Sequence, residues 1–206
     1  MTVPEELKRA FTKDEINRLP LRRYQGPVEV INSPDGLPSA VAGLAQERLL
    51  GFDTESRPSF KKGVNHPPSL IQLAGENKVY LFQVSRLSTA DGLRSILSDP
   101  SILKAGVAVR DDIKDLKRLW SFEEGGFLDL GEIARELGLK THGLRNLAAN
   151  LLGFRISKHA QVSNWSRAAL TQKQITYAAT DAWVSREIHL ALERLGLLPG
   201  SALPKG

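Results

Sequence analysis

The sequence predicts an α/β fold, a mixed β-sheet flanked by helices in a single domain. Three observations carry this. Short apolar runs of strand length recur between residues 28 and 107, and two of them flank Gly75-Glu76-Asn77 in the manner of a hairpin. From residue 87 onward, stretches with helical periodicity alternate with strand-like runs and then replace them. A chain of 206 residues, 41% of them hydrophobic, is large enough for one buried core plus a short extension.

Taken in order, residues 1–26 carry a short amphipathic stretch and then Pro20, Gly26 and Pro27, which reads as an N-terminal arm lying against the domain. Val28-Glu29-Val30-Ile31 is a short strand, and 38–47 has the composition of a helix. Residues 49–55 form a strand, and 69–74 and 78–84 pair across the hairpin. A helix over 87–97 is stopped by Pro100, and 102–107 is the next buried strand. Helices follow at about 110–120, 129–138, 143–152 and 171–195, with Gly138, Gly153 and Gly196 where C-caps belong. Residues 197–206 remain as a C-terminal tail, leaving 27–196 as the domain. The pattern does not give the strand order.

Composition excludes several classes of function. There is no cysteine, hence no disulfide, thiolate metal site or cysteine nucleophile. No apolar run approaches the ~18–20 residues of a membrane span, so no membrane partner is expected. The charged, proline-broken N-terminus does not resemble a secretory signal, and a cytoplasmic location is expected. The four histidines share no ligand spacing. A formal charge of +5 is compatible with a polyanionic partner or with a simple solubility surplus, since the Lys and Arg residues are scattered. Protein partners are not legible.

Certain acids fall on core-directed faces, where an unpaired carboxylate costs several kcal/mol by order of magnitude. Asp53 and Glu55 alternate on one side of the 49–55 strand, with Phe52 and Thr54 on the other. Two carboxylates so placed repel unless a cation lies between them, and oxygen ligands suit Mg²⁺ or Mn²⁺. A strand that simply ends in polar residues gives the same pattern. In the last helix, Thr171 and Gln174 form a capping box that fixes the phase. Steps of three and four then align Tyr177, Asp181, Val184, Ile188, Ala191, Leu192 and Leu195, an apolar stripe interrupted by one carboxylate. In the 110–120 helix, Asp112 shares the arc of Val109, Ile113, Leu116 and Trp120. Asp111 lies about 100° away and suits the helix dipole, but stays an alternative while the helix start is open.

Three segments together resemble the tyrosine-bearing DEDDy branch of the DEDD 3′-5′ exonucleases, a branch that includes ribonuclease D, the proofreading domain of family A DNA polymerases and the Werner-syndrome exonuclease domain. They are Phe52-Asp53-Thr54-Glu55; the run from Lys104 to Asp112; and Tyr177-Ala178-Ala179-Thr180-Asp181. The sister branch places a histidine five residues before its last aspartate; here Thr176 holds that position and Tyr177 sits four before. Ser69-Leu70-Ile71-Gln72-Leu73, Leu144-Arg145-Asn146-Leu147, and Lys158 with Ser163-Asn164-Trp165-Ser166 look like the same family. The resemblance spans about residues 27–195 and implies a ribonuclease H-like fold and two divalent ions, Mg²⁺ or Mn²⁺. By position, Asp53 would touch both ions, Glu55 and Asp181 would help hold the first, and Asp112 the second.

The implied activity is hydrolysis of phosphodiester bonds from a nucleic-acid 3′ end, single-stranded DNA or RNA, with release of nucleoside monophosphates. Tyr177 would orient the attacking water, since an ordinary phenol pKa near ~10 disfavours general-base action. The backbone amide of Thr54 is expected beside the terminal nucleotide, and Arg145, Asn146 and Lys158 are expected at phosphate or sugar. Trp165 could stack a base or anchor packing. The basic, proline-rich loop from 56 to 68 is expected at the mouth of the site. Two other readings are a catalytically inactive nucleic-acid-binding module and a phosphodiesterase for oligonucleotides or dinucleotides.

Overall fold

The computed structural model describes residues 3–59, 66–87, 89–198 and 200. Among them, six strands make one mixed sheet in the order β1-β4-β3-β2-β5-β6: β1 Val28–Ile31, β2 Leu49–Ser56, β3 Pro68–Ala74, β4 Val79–Gln83, β5 Leu103–Gly106 and β6 Phe127–Asp129. β2, β3 and β4 are antiparallel, the last two closed by the Gly75 N–H donating to the Lys78 carbonyl. β1 pairs parallel to β4, β5 parallel to β2, and β6 parallel to β5.

Side-chain alternation along β2 divides the core. Leu50 and Phe52 face one layer, where they are buried with Leu44, Leu93, Val109 and Leu116 from α2 (Leu37–Leu44), α3 (Asp91–Ser98) and α4 (Val109–Lys117). Leu49, Gly51, Asp53 and Glu55 face the other. Here α7 (Gln172–Arg194) lies over the sheet, flanked by α5 (Leu130–Glu136) and α6 (Leu144–Leu147). Each large side chain such as Phe52, fully buried, contributes about 1.5–3 kcal/mol.

α7 begins as its capping box predicts: Thr171 Oγ1 accepts from the Gln174 N–H, and the Gln174 side chain accepts from the Thr171 N–H. Val184, Ile188, Ala191 and Leu192 are buried along it. Leu195, assigned to the same stripe, is instead exposed: it is the C-cap, where the chain turns at Gly196 (φ +64°). The expected helix from 87 starts later, at Asp91, after a 3₁₀ turn at Val84–Arg86. The helix expected over 143–152 is α6 followed by a π turn, Ala148–Leu152.

Two elements were not anticipated. β6 is only three residues long, and α1 (Lys13–Arg18) is a short helix closed by a Thr12–Glu15 capping box. The chain from residue 3 to 26 runs along the domain. Arg155 clasps it, its N–H donating to the Pro20 carbonyl and its carbonyl accepting from the Arg22 N–H. Leu197 and Leu198 are buried with Leu192 rather than free of the core. Of the expected 56–68 loop, residues 60–65 lie outside the described residues, as do 199 and 201–206 of the tail. No helix among the described residues is long and apolar enough to cross a membrane.

Candidate active site

The ends of β2 and the middle of α7 meet at three carboxylates. Asp53, Glu55 and Asp181 each offer an oxygen, and these oxygens lie within 4.8 Å of one another. Asp53 and Glu55 share the α7-facing side of β2 as alternation requires. Asp181 reaches them because α7 lies unusually close to the sheet. A Cβ on Gly51 would stand 1.9 Å from the Ala182 carbonyl oxygen, so glycine is required at that crossing. Ala178, Ala179 and Ala182, all fully buried, keep the helix side of the contact equally small.

Crowding and burial drive these acids toward neutrality in the absence of a cation. Burial first, then the charges of Asp181, Asp112 and Glu55, raise Asp53 well above the ordinary carboxylate range, against the Thr54 amide that donates to it. Glu55 is pushed up to about 9 by burial and by Asp181 and Asp112. Burial lifts Asp181 to about 7, although the Tyr177 hydroxyl and the Arg145 guanidinium pull it down. One Asp181 carboxylate oxygen, Oδ1, is buried without a hydrogen-bond partner. Converging, half-desolvated oxygens with an orphaned lone pair are the donor set of a hard divalent cation.

Asp112 enters from the other side of β2. Thr54 Oγ1 donates to its Oδ1 at 2.6 Å, and Asp112 is not among the three converging acids. Burial raises Asp112 to about 7, and the Thr54 hydroxyl offsets part of that rise. Asp111, one residue earlier, is exposed. The start of α4 is held by a residue that sequence reasoning passed over. Asp129, at the end of β6, accepts from the Ala108 and Val109 N–H groups at the start of α4 and from the Gly131 and Glu132 N–H groups of α5. Its place as an aspartate at the very start of the helix expected over 129–138 was the available signal. Ala108 itself is left-handed (φ 60°), a conformation that non-glycine residues adopt at a cost of about 1–2 kcal/mol.

Tyr177 sits one turn before Asp181 on the same face, and burial together with Asp181 and Glu55 pushes its phenol above its ordinary range. Its ring packs on Trp165, centroids 5.9 Å apart. Trp165 is fully buried, so the base-stacking alternative is excluded and packing is its role. Arg145 is half-buried, its Nε donating to the Ile156 carbonyl while its charge acts on Asp181. Asn146 is half-buried nearby, and Lys158 is fully on the surface. The Thr54 amide, expected beside a nucleotide, donates to Asp53 Oδ1 at 2.9 Å.

A family model described as 3′-5′ exonuclease matches residues 28–196. The chain belongs to the 3′-5′ exonuclease family. As an exonuclease-family domain it is 36% identical over 159 residues to the mouse bifunctional 3′-5′ exonuclease/ATP-dependent helicase WRN, covering 74% of this chain and 11% of that protein. It is 32% identical over 211 residues to the human exonuclease mut-7 homolog, covering 88% and 24%. The chain thus spans between about a tenth and a quarter of the length of these relatives. The crystal structure of the Aedes aegypti Nibbler EXO domain superposes with a TM-score of 0.74 at 25% identity, covering 84% of this chain and 91% of that one. The exonuclease fold is therefore ribonuclease H-like, and all four acids and Tyr177 lie within the matched span.

Proposed function

We propose that this chain is an active exonuclease that removes nucleotides one at a time from a nucleic-acid 3′ end and releases nucleoside monophosphates. The observation that carries the reading is the convergence of Asp53, Glu55 and Asp181 beneath α7 with Tyr177 beside them. The donor set fits divalent cations, Mg²⁺ or Mn²⁺: Asp53, Glu55 and Asp181 would hold one, and Asp53 with Asp112 a second. When bound, such ions neutralise charge on the phosphate and make a coordinated water a better nucleophile.

The chain's own residues do the rest. Tyr177, its phenol pushed up by burial and then by the surrounding acids, stays protonated and serves as a hydrogen-bond donor and acceptor that aims the attacking water. Thr54 holds Asp112 by its hydroxyl and Asp53 by its amide, so one residue links the two sides of the strand. Arg145, whose charge acts on Asp181, would meet a phosphate oxygen, and Asn146 and Lys158 would contact phosphate or sugar.

The test is a 5′-labelled single strand, DNA and RNA in parallel, incubated with Mg²⁺ or Mn²⁺. The expected result is a ladder shortening by single nucleotides with mononucleotide products, abolished by chelation. Binding without shortening would make the chain an inactive nucleic-acid module, and cleavage confined to dinucleotides would make it a short-oligonucleotide phosphodiesterase.

A further inference from the structure

The cavity that opens on Tyr177 and Asp181 is walled in part by the N-terminal arm, and its lining is basic. It has a volume of about 870 Å³, and Arg22 and Arg23 contribute to it from the arm, while Arg167 contributes from the segment leading into α7 and Lys173 from its first turn. All four side chains are exposed, and none forms an ion pair among the described residues. The lining carries a single carboxylate, the buried Asp181. A concave surface with four free cations and one acid favours a ligand with several negative charges.

The arm is fixed in place at this edge. The Arg155 clasp holds residues 20–22. The Tyr24 N–H donates to Thr180 Oγ1 at 3.0 Å, and the Thr180 hydroxyl in turn donates to the Thr176 carbonyl. Tyr24 also packs its ring against Trp183, centroids 6.0 Å apart. Arg22 and Arg23 are thereby held two and one residues from a bond to the immediate neighbour of Asp181. Residues 20–25 lie before the span matched by the exonuclease family model, so membership assigns them nothing.

We propose that the arm is part of the substrate site: Arg22 and Arg23 on one wall, with Arg167 and Lys173 on the other, bind the backbone phosphates of the nucleotides 5′ to the one being removed. This rests on the exonuclease reading above. With the 3′ terminus at the acids, the chain of nucleotides can continue only in the 5′ direction, and this cavity reaches one of those acids, Asp181. Phosphate contacts of this kind read no base, so DNA and RNA strands share the site.

The experiment measures binding in an Asp181→Asn background, where cleavage does not interfere, by fluorescence anisotropy of a single strand long enough to fill the cavity. An Arg22→Ala/Arg23→Ala pair is expected to weaken binding about tenfold. Removing each phosphate-binding charge should also flatten the plot of log affinity against log salt by about 0.7. An Arg22→Lys/Arg23→Lys pair should recover most of both, which a structural role for the arm would not predict. In the cleaving chain, the ratio of kcat/KM on that strand to kcat/KM on a dinucleotide should fall with the alanine pair. Arg167→Ala/Lys173→Ala, on the opposite wall, should act in the same direction. Arm variants that bind with the parent's affinity and salt slope, while the parent still shortens strands, would overturn the arm's role and leave the exonuclease reading standing. A parent that neither binds nor shortens strands overturns both.

Discussion

Two aspartates approach β2 from opposite faces, and they are held by different physics. Asp181 is placed by steric contact: Gly51 under Ala182, and small residues along the helix, bring α7 close enough for three carboxylates to converge. Asp112 is placed by polar contacts: a hydroxyl from Thr54, and a helix start fixed by Asp129. The α7 side should therefore be sensitive to volume, and the α4 side to the loss of single hydrogen bonds.

The largest effect expected is from Asp181→Ala, which removes a proposed cation ligand and a charge at once; activity on a labelled strand should fall about a thousandfold, several kcal/mol of transition-state stabilisation. Gly51→Ala tests the steric side without touching an acid. Overpacking of this kind costs about 1–3 kcal/mol, so melting should move down and kcat should fall with it as Asp181 is displaced. Should Gly51→Ala melt and cleave like the parent, close packing is not what sets the triad. Thr54→Val tests the polar side. It keeps the shape and removes a hydrogen bond to a charged group, about 1.5–3 kcal/mol of stability, so melting should fall by several degrees and kcat by roughly tenfold. Because the hydroxyl holds Asp112 down, the acid limb of the pH–rate profile should also move to higher pH.

A further effect is thermodynamic. Glu55 and Asp181 hold their protons more tightly folded than unfolded, with values near 9 and 7 against 4.5 and 3.8. In the window between these values the native state carries more bound protons, so stability falls as pH rises from about 4 toward 9. Cation-free melting temperatures should decline across that range, and Mn²⁺ should raise them more at the alkaline end. Asp181→Asn should flatten the decline. A melting temperature that rises with pH over this range would show that the acids are not crowded as described.

The parts that were legible in the sequence are those where local chemistry and tertiary placement agree. Thr171 and Gln174 fixed the phase of α7 and hence the inward side of Asp181, and the strand period placed Asp53 with Glu55. The stripe misled only at Leu195, because periodicity does not register that the helix has ended at Arg194. β6 escaped notice because Phe127-Leu128-Asp129 is too short to show a period, and it exists through pairing with β5. The turn into α4 was hidden because Ala108, not glycine, takes the left-handed conformation there, sustained by Asp129. Arg22 and Arg23 gave no signal at all: a pair of arginines is ordinary, and what brings them to Asp181 is a hydrogen bond spanning 156 residues, from Tyr24 to Thr180.

The acids beneath α7 are proposed to form a cation site. Mn²⁺ binding, followed by isothermal titration calorimetry on the purified chain at mildly alkaline pH, tests it without reference to any substrate. The parent should bind, Asp181→Asn should lose that binding, and Asp112→Asn, altered at the acid outside the converging three, should bind more weakly but measurably. Equal Mn²⁺ affinity in Asp181→Asn and the parent would contradict that assignment.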